Sequence, residues 1–298
     1  MTRPLTIAIG IATAGRREQM PLTLAQIARQ RTLPQRIVVC PASLDDYDPG
    51  ATPAVGCPIE LLYGPRGLTA QRNRILEACP DVDVLVFLDD DYYPAPDYVE
   101  QVAALFCAYP DIVVATNHPL RDGATGPGIP HAEALGILAA HPLLERPAPH
   151  IKTTYGGYGC NMAVRLAPAL EHGVRFDTNL PLYGWLEDID FSRRMAVHGR
   201  IANCSSLVGV HLAVKRGRTS GLKVGYSQVA NPLYLLRKGS MSARYSLRHV
   251  GRNVAKNFVA AFRPEPWVDR RGRLKGNLLA FADLVLGRLD PRRIQHLR

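Results

Sequence analysis

Val84-Leu85-Val86-Phe87-Leu88-Asp89-Asp90-Asp91 is the stretch on which the fold turns. Its apolar half, bounded by turn residues, reads as an inner strand of a parallel sheet, buried on both faces. Open α/β sheets bind their ligands at the carboxyl ends of such strands. Three neighbouring carboxylates at that end repel one another unless a cation joins them. Hard oxygen donors suit Mg²⁺ or Mn²⁺, and Mg²⁺ is commonly shared with substrate phosphates. The plainer alternative is an acidic loop that caps the next helix, with Pro94 and Asp97 marking its start.

The flanking sequence repeats the same alternation. Leu5–Ala12, Arg36–Cys40, Ile59–Tyr63, Val82–Leu88 and Ile112–Thr116 are short apolar runs, and Glu18–Arg31, Thr69–Ala78 and Asp97–Tyr109 have helical spacing. This βαβ rhythm predicts an α/β fold with a mostly parallel sheet flanked by helices. Residues 117–150, rich in Pro, Gly and His, break the rhythm and read as a long loop with a short helix at Ala132–Ala140. Structure resumes over Lys152–Arg165, Glu187–His198 reads as a helix, 201–210 as a strand, and Leu222–Leu236 as a helix interrupted by Pro232.

The chain has 298 residues, enough for one large domain or two small ones, and a net charge of +10. That excess is local: residues 237–298 carry fifteen Lys/Arg against four Asp/Glu, whereas the first 236 residues net −1. The division expected is a catalytic domain over 1–236 and a basic amphipathic helical extension over 237–298. Within the extension Arg244, Arg248, Arg252 and Lys256 recur every four residues, with Leu247, Val250, Val254, Phe258 and Ala261 on the opposite side, and a second apolar segment, Leu274–Leu286, follows. Six scattered cysteines without a C-x-x-C pair favour a reducing compartment and argue against a zinc cage. Neither a signal peptide nor a membrane-spanning run is expected.

A second acidic cluster, Glu187-Asp188-Ile189-Asp190, follows Tyr183-Gly184-Trp185. Glu187 and Asp190 fit helix capping, which leaves Asp188 to face a substrate, beside an aromatic able to stack on a sugar. Further on, His211 precedes Lys215, Arg216 and Arg218, a set of cations able to close over phosphates.

In this order the pieces resemble the family-2 glycosyltransferases of the GT-A fold, a Rossmann-like nucleotide-diphospho-sugar transferase architecture, and more particularly those of bacterial exopolysaccharide and surface-polysaccharide synthesis. The resemblance rests on Thr13-Ala14-Gly15-Arg16, on Gly67 to Asn73 with its Arg72, on Asp89-Asp90-Asp91, on Gly159-Cys160-Asn161-Met162-Ala163, on Glu187-Asp188 and on His211. It covers about residues 5–235.

The resemblance implies an inverting, metal-dependent transfer of a hexose from a nucleotide diphospho-sugar to a glycan hydroxyl. Asp188 is the implied base, with Glu187 beside it. The donor would be held by Thr13, Ala14, Arg16, Arg72, Asp89, Asp90, Asn161, Lys215 and Arg218. A divalent metal, Mn²⁺ or Mg²⁺, would be held by Asp91, Asp89 and His211, and the acceptor would meet Trp185 and Tyr183. Family habit makes the base uracil, but the second strand here ends in Cys40-Pro41-Ala42-Ser43 instead of an acidic pair, with Asp45 and Asp46 slightly later. The basic extension then suggests a lipid-linked acceptor of surface-polysaccharide biosynthesis. It also suggests an anionic membrane partner and a cytoplasmic, peripheral location on the inner face of the cell membrane. No nucleic-acid partner is expected, since the extension interleaves few aromatics and shows no known module. The rival readings are a sugar-phosphate nucleotidyltransferase, whose Gly-rich phosphate loop Ile11–Arg16 matches poorly, and a non-catalytic nucleic-acid- or membrane-binding protein.

Overall fold

The computed structural model describes residues 3–142, 148–217 and 219–298. Eleven strands and nine helices are described. The strands are β1 (Ile7–Thr13), β2 (Arg36–Pro41), β3 (Ile59–Leu61), β4 (Val84–Asp89), β5 (Tyr92–Pro94), β6 (Ile112–Thr116), β7 (Arg121–Asp122), β8 (Ile151–Thr153), β9 (Asn161–Arg165), β10 (Arg200–Cys204) and β11 (Gly209–His211). The helices are α1 (Gln19–Ile27), α2 (Leu68–Glu77), α3 (Tyr98–Ala108), α4 (His131–Ala140), α5 (Leu166–Glu171), α6 (Glu187–Met195), α7 (Gly221–Lys238), α8 (Ala243–Ala260) and α9 (Arg270–Val285).

Eight strands form one sheet in the order β3-β2-β1-β4-β9-β6-β10-β8. The pairs β3/β2, β2/β1, β1/β4 and β6/β10 are parallel, while β9 runs against both β4 and β6 and β8 runs against β10. The expected parallel sheet is thus present, with one reversed strand in its middle and another at its edge. β4 is buried from Val84 to Leu88, as a strand covered on both faces requires. One face packs Met20, Leu24, Val99 and Val102 over Ile9, Ile11 and Val86, and the other packs Ile75, Leu76, Phe176 and Phe191 over Ala8, Val38 and Leu85. Gly10 of β1 lets α2 come close, because a Cβ there would lie 2.4 Å from the Ile75 Cγ2 methyl.

A small second sheet, β5-β11-β7, sits at the carboxyl end of β4. The sequence reading misses it, because its strands are two or three residues long and carry no periodicity. It takes the single strand expected over 201–210 and splits it into β10 and β11. Pro232 does not interrupt α7, which runs unbroken through it. The last three helices pack together: Tyr226, Val229 and Ala230 of α7 meet Val250 of α8, Ala280 of α9 and Ile294.

Candidate active site

The three aspartates leave the end of β4 in three directions, and none caps a helix. Asp90 is buried, accepting from Thr13 Oγ1 at 2.6 Å and from Arg16 Nη1 at 2.6 Å. Asp91 is fully buried: its Oδ2 accepts from Arg16 Nη1 at 2.9 Å and from the Val214 N–H at 2.7 Å. Burial lifts the Asp90 carboxyl although Arg16 opposes it. At Asp91 burial also pushes upward, but His211, Arg16 and the Val214 N–H outweigh it and hold the group below the usual range. Asp89 remains partly open to solvent.

His211, at the end of β11, faces both Asp91 and Asp89. Its Nε2 lies 3.4 Å from Asp91 Oδ1 and 3.8 Å from Asp89 Oδ2. Its other ring nitrogen, Nδ1, meets Asp122 Oδ1 at 2.9 Å, and Asp122 Oδ2 accepts from the Tyr158 hydroxyl at 2.7 Å. Burial alone would lower the His211 pKa, but Asp122, Asp91 and Asp89 raise it to about 10. One donor atom each from Asp89, Asp91 and His211 can be gathered within 4.8 Å. Asp91 Oδ1 is buried with no hydrogen-bond partner. Buried carboxylate oxygens are normally satisfied, so this orphan and the hard O,O,N donor set fit a divalent cation such as Mn²⁺ or Mg²⁺. Asp122 behind the imidazole matches the arrangement that orients a histidine ligand in metal sites.

Arg72 joins this cluster to the second one. Its guanidinium, 2 % exposed, donates from Nη1 to Glu187 Oε1 at 2.7 Å. From Nη2 it reaches Asp89 Oδ1 at 3.1 Å and the Gly159 carbonyl at 2.6 Å. Phe87 and Phe176 flank it, with ring centroids 5.5 and 5.6 Å from Cζ. Glu187 sits beneath, its pKa driven well above the ordinary value by burial despite Arg72. Asp188, half-buried, accepts from the Gly159 N–H at 2.9 Å through Oδ2 and from the Ile189 N–H at 2.8 Å through Oδ1. Burial raises its pKa in spite of these two bonds. The capping expectation for Glu187 and Asp190 is not met. Glu187 is turned inward to Arg72, and Asp190 accepts from Lys238 Nζ at 2.8 Å. Asp188 instead takes the first-turn amide.

Other expected residues are distributed around this axis. Thr13, Asp90, Arg72 and Asn161 are buried, with their polar atoms engaged inside the protein; the Asn161 amide is held between Thr116 and Tyr92 at 2.9 Å each. Ala14 lies under the loop after β11, where Gly217 (φ 69°) would place a Cβ 2.8 Å from the Ala14 carbonyl. Arg16 Nη2 donates to the Val214 carbonyl in the same loop at 3.2 Å. Lys215 Nζ donates to the Gly123 carbonyl at 2.9 Å. Arg218 lies outside the described residues. Tyr183 is exposed, with its ring 6.1 Å from that of half-buried Trp185, whose backbone carbonyl accepts from Asn231.

Three residues that shape the site went unread in the sequence. Asp122 lies within 117–150, where no motif marks it. Tyr158 lies within Lys152–Arg165, where the sequence marks resumed structure but no role for this side chain. Gln71 donates to the Thr13 and Cys40 carbonyls at 3.0 and 2.6 Å, tying the ends of β1 and β2 together. The backbone is held in the left-handed region at Leu182 (φ 56°), Leu186 (φ 70°) and Ala213 (φ 54°), all on the two turns that border the site. Such strain gathers where surrounding structure fixes a functional loop.

A parallel-rich sheet that ends in an aspartate–histidine cluster, faced by a Glu-Asp helix start, defines a GT-A glycosyltransferase. The chain belongs to glycosyl transferase family 2, which it matches over residues 9–170. Among solved structures it is similar to the mannosyltransferase PcManGT from Pyrobaculum calidifontis in complex with GDP-Man and Mn²⁺, at 15 % identity and TM-score 0.55 over 99 % of this chain and 84 % of that one. It is similar to S. aureus TarS 1-349 in complex with UDP-GlcNAc, at 13 % identity and TM-score 0.53 over 97 % of this chain and 84 % of that one. It is also similar to GalNAc-T7 with UDP, GalNAc and Mn²⁺, at 12 % identity and TM-score 0.53 over 87 % of this chain and 58 % of that one. The chain spans only 40 % of a longer S. aureus TarS chain. No curated protein sequence matches it.

Proposed function

We propose that this glycosyltransferase transfers a hexose with inversion from a UDP-sugar to a hydroxyl of a glycan acceptor. The observation that carries the reading is the Arg72 bridge: one buried cation bonds Asp89 on one side and Glu187, the neighbour of Asp188, on the other. It fixes the acidic end of β4 and the start of α6 as two halves of one centre. Asp89, Asp91 and His211 would hold the divalent metal, Mn²⁺ or Mg²⁺, which when bound supplies Lewis-acid neutralisation of the diphosphate. Arg16 and Lys215 border the same end of the sheet and add positive charge to the donor pocket, and Arg218, outside the described residues, is proposed from the sequence as a further cation. UDP in two of the three similar complexes supports uracil as the base, and GDP in the third leaves guanine as the competitor to test.

Asp188 is proposed as the base. Its carboxylate is oriented by the Gly159 and Ile189 N–H groups, and its raised pKa makes it a better proton acceptor than an ordinary aspartate. Only one carboxylate is assigned to the reacting centre, as single displacement requires; Glu187 is spent on Arg72 and acts by positioning. Trp185 and Tyr183 offer the aromatic faces for the acceptor.

Residues 1–236 are proposed as the catalytic unit and 237–298 as an appended extension, with α7 as the helix on which it docks. α8, the turn after it and α9 leave Leu247, Phe258, Val259, Phe262, Leu278 and Val285 exposed beside Arg248, Arg252 and Lys256. Among the described residues, nine of the seventeen exposed large hydrophobics lie within residues 247–286, so this surface is unlike the rest of the described molecule. Apolar side chains ranked with cations fit an anionic lipid surface. Among the described residues no helix is long and apolar enough to cross a membrane. The reading is therefore a peripheral enzyme at the cytoplasmic membrane face, acting on a lipid-linked acceptor of surface-polysaccharide synthesis.

The test is product analysis with UDP-sugars and Mn²⁺. Release of UDP with transfer or slow hydrolysis of the sugar supports the reading. Release of pyrophosphate from a sugar phosphate and a nucleoside triphosphate would replace it with a nucleotidyltransferase.

A further inference from the structure

We propose that the cavity between α6 and the turn from α7 to α8 binds an anionic group, phosphate or carboxylate, carried by the acceptor glycan next to the sugar that is glycosylated. This rests on the acceptor reading above and specifies the chemistry of that acceptor. The cavity holds about 500 Å³ and is walled by Tyr155, Arg193, Arg194, Lys238, Ser240 and Ser242, among others.

The walls hold more donors than acceptors. The carboxylates nearby, Asp177 and Asp190, are already neutralised by Lys238 Nζ at 2.6 and 2.8 Å. Arg193 is different. Among the described residues its guanidinium meets no carboxylate; its one hydrogen bond is a long one, 3.4 Å, to the Tyr155 carbonyl. It lies over the Tyr155 ring, 4.8 Å from the centroid, which holds the fork in place while leaving its donors unspent. The Tyr155 hydroxyl accepts the Ser242 N–H at 2.7 Å, so its own proton remains to be donated. The Ser240 hydroxyl and Arg194 Nε are buried without partners. A planar guanidinium with unspent donors beside hydroxyl donors matches phosphate or carboxylate oxygens. A neutral sugar could accept from these donors but would leave the Arg193 charge without a counter-charge.

The cavity also lies at the right place along the acceptor path. Arg193 is five residues beyond Asp188 on α6, about 7.5 Å along the helix axis and about 140° around it. Tyr155 begins the strap whose far end, Gly159, donates its N–H to Asp188. The opposite wall includes Ser242, the N-cap of α8, and next to it Tyr245 stacks on Tyr155 at 3.9 Å and lies near enough to Asp188 to feel its charge. In this proposal an acceptor whose hydroxyl is at Asp188 runs past the Tyr245–Tyr155 pair and brings its neighbouring unit to the cavity.

The test is a calorimetric titration of the full chain with methyl phosphate and with methyl glucuronide, in wild type, Arg193→Ala and Arg193→Lys. Saturable binding of either probe is expected, weakened about tenfold or more in Arg193→Ala and partly kept in Arg193→Lys. The preferred probe identifies phosphate or uronic acid as the source of the charge. Mn²⁺-dependent UDP binding, measured on the same samples, is expected to be equal in all three and shows that the fold and donor site are intact. Failure of both probes to bind wild type, or equal binding by Arg193→Ala, overturns the anion site. Probe binding without any nucleotide binding removes the acceptor from the cavity, because it removes the donor site on which that half depends.

Discussion

Arg72 has three acceptors and no solvent, so its charge is committed to holding Asp89 and Glu187 at fixed positions. Removing it leaves the buried Glu187 carboxylate and the partly open Asp89 without their shared cation. Arg72→Ala is expected to cost roughly 3–5 kcal/mol in chemical denaturation. Arg72→Lys should recover little, because a point charge cannot make the forked contacts. A loss under 1 kcal/mol would show the bridge to be unimportant. Asp188→Asn, by contrast, keeps shape and removes the base. It should lower transfer by about 10³-fold or more while UDP binding stays within a factor of three. Unchanged turnover would remove Asp188 as base.

The same residue sets a pH dependence. Asp188 must be ionised to take a proton, and burial raises its pKa. The rate should therefore fall as pH drops through a value above the ordinary aspartate range, with full activity on the alkaline side of that limb. A pH profile of kcat/KM that is flat down to the ordinary carboxylate range would contradict the assignment. The aspartate run and the Glu-Asp pair were legible as sequence, because their residue types and order are distinctive. Their partners were not: which of Glu187, Asp188 and Asp190 faces inward depends on Arg72 and Lys238, more than 45 positions away in the chain.

At the scale of elements, β7 and β11 bring Asp122 behind His211. Asp122→Asn should leave the fold in place and weaken Mn²⁺ affinity by about 10–100-fold in a calorimetric titration. Unaltered affinity would show that His211 needs no orienting partner or does not bind the metal. The long elements of the fold were readable from periodicity, since β1, β4, α1 and α3 bury continuous or helically spaced apolar residues. The short strands were not, because two or three residues carry no period and their pairing is set by the end of β4. The reversed direction of β9 was also hidden, since a central strand buried on both faces reads the same in either sense.

Over the whole molecule, the basic charge and the exposed apolar side chains coincide on α8 and α9. Cutting the extension away would uncover Tyr226, Val229 and Ala230, so surface substitution is the cleaner experiment. Phe258→Asp with Phe262→Asp should abolish binding to anionic vesicles in flotation assays and leave UDP binding unchanged. Equal flotation of the double variant would mean that this face does not meet lipid. The charge asymmetry behind this idea was readable from the sequence; the exposure of Leu247 and Phe258, with Val250 turned inward on α7, required the helix packing.

The central claim is that Asp89, Asp91 and His211 assemble a metal-dependent nucleotide-sugar site. Its most direct test is a thermal-shift panel of nucleoside diphosphates with and without Mn²⁺, on wild type and Asp91→Ala. The account predicts stabilisation by UDP that requires Mn²⁺ and disappears in Asp91→Ala. A flat response across the panel, or an equal response in the variant, would contradict it.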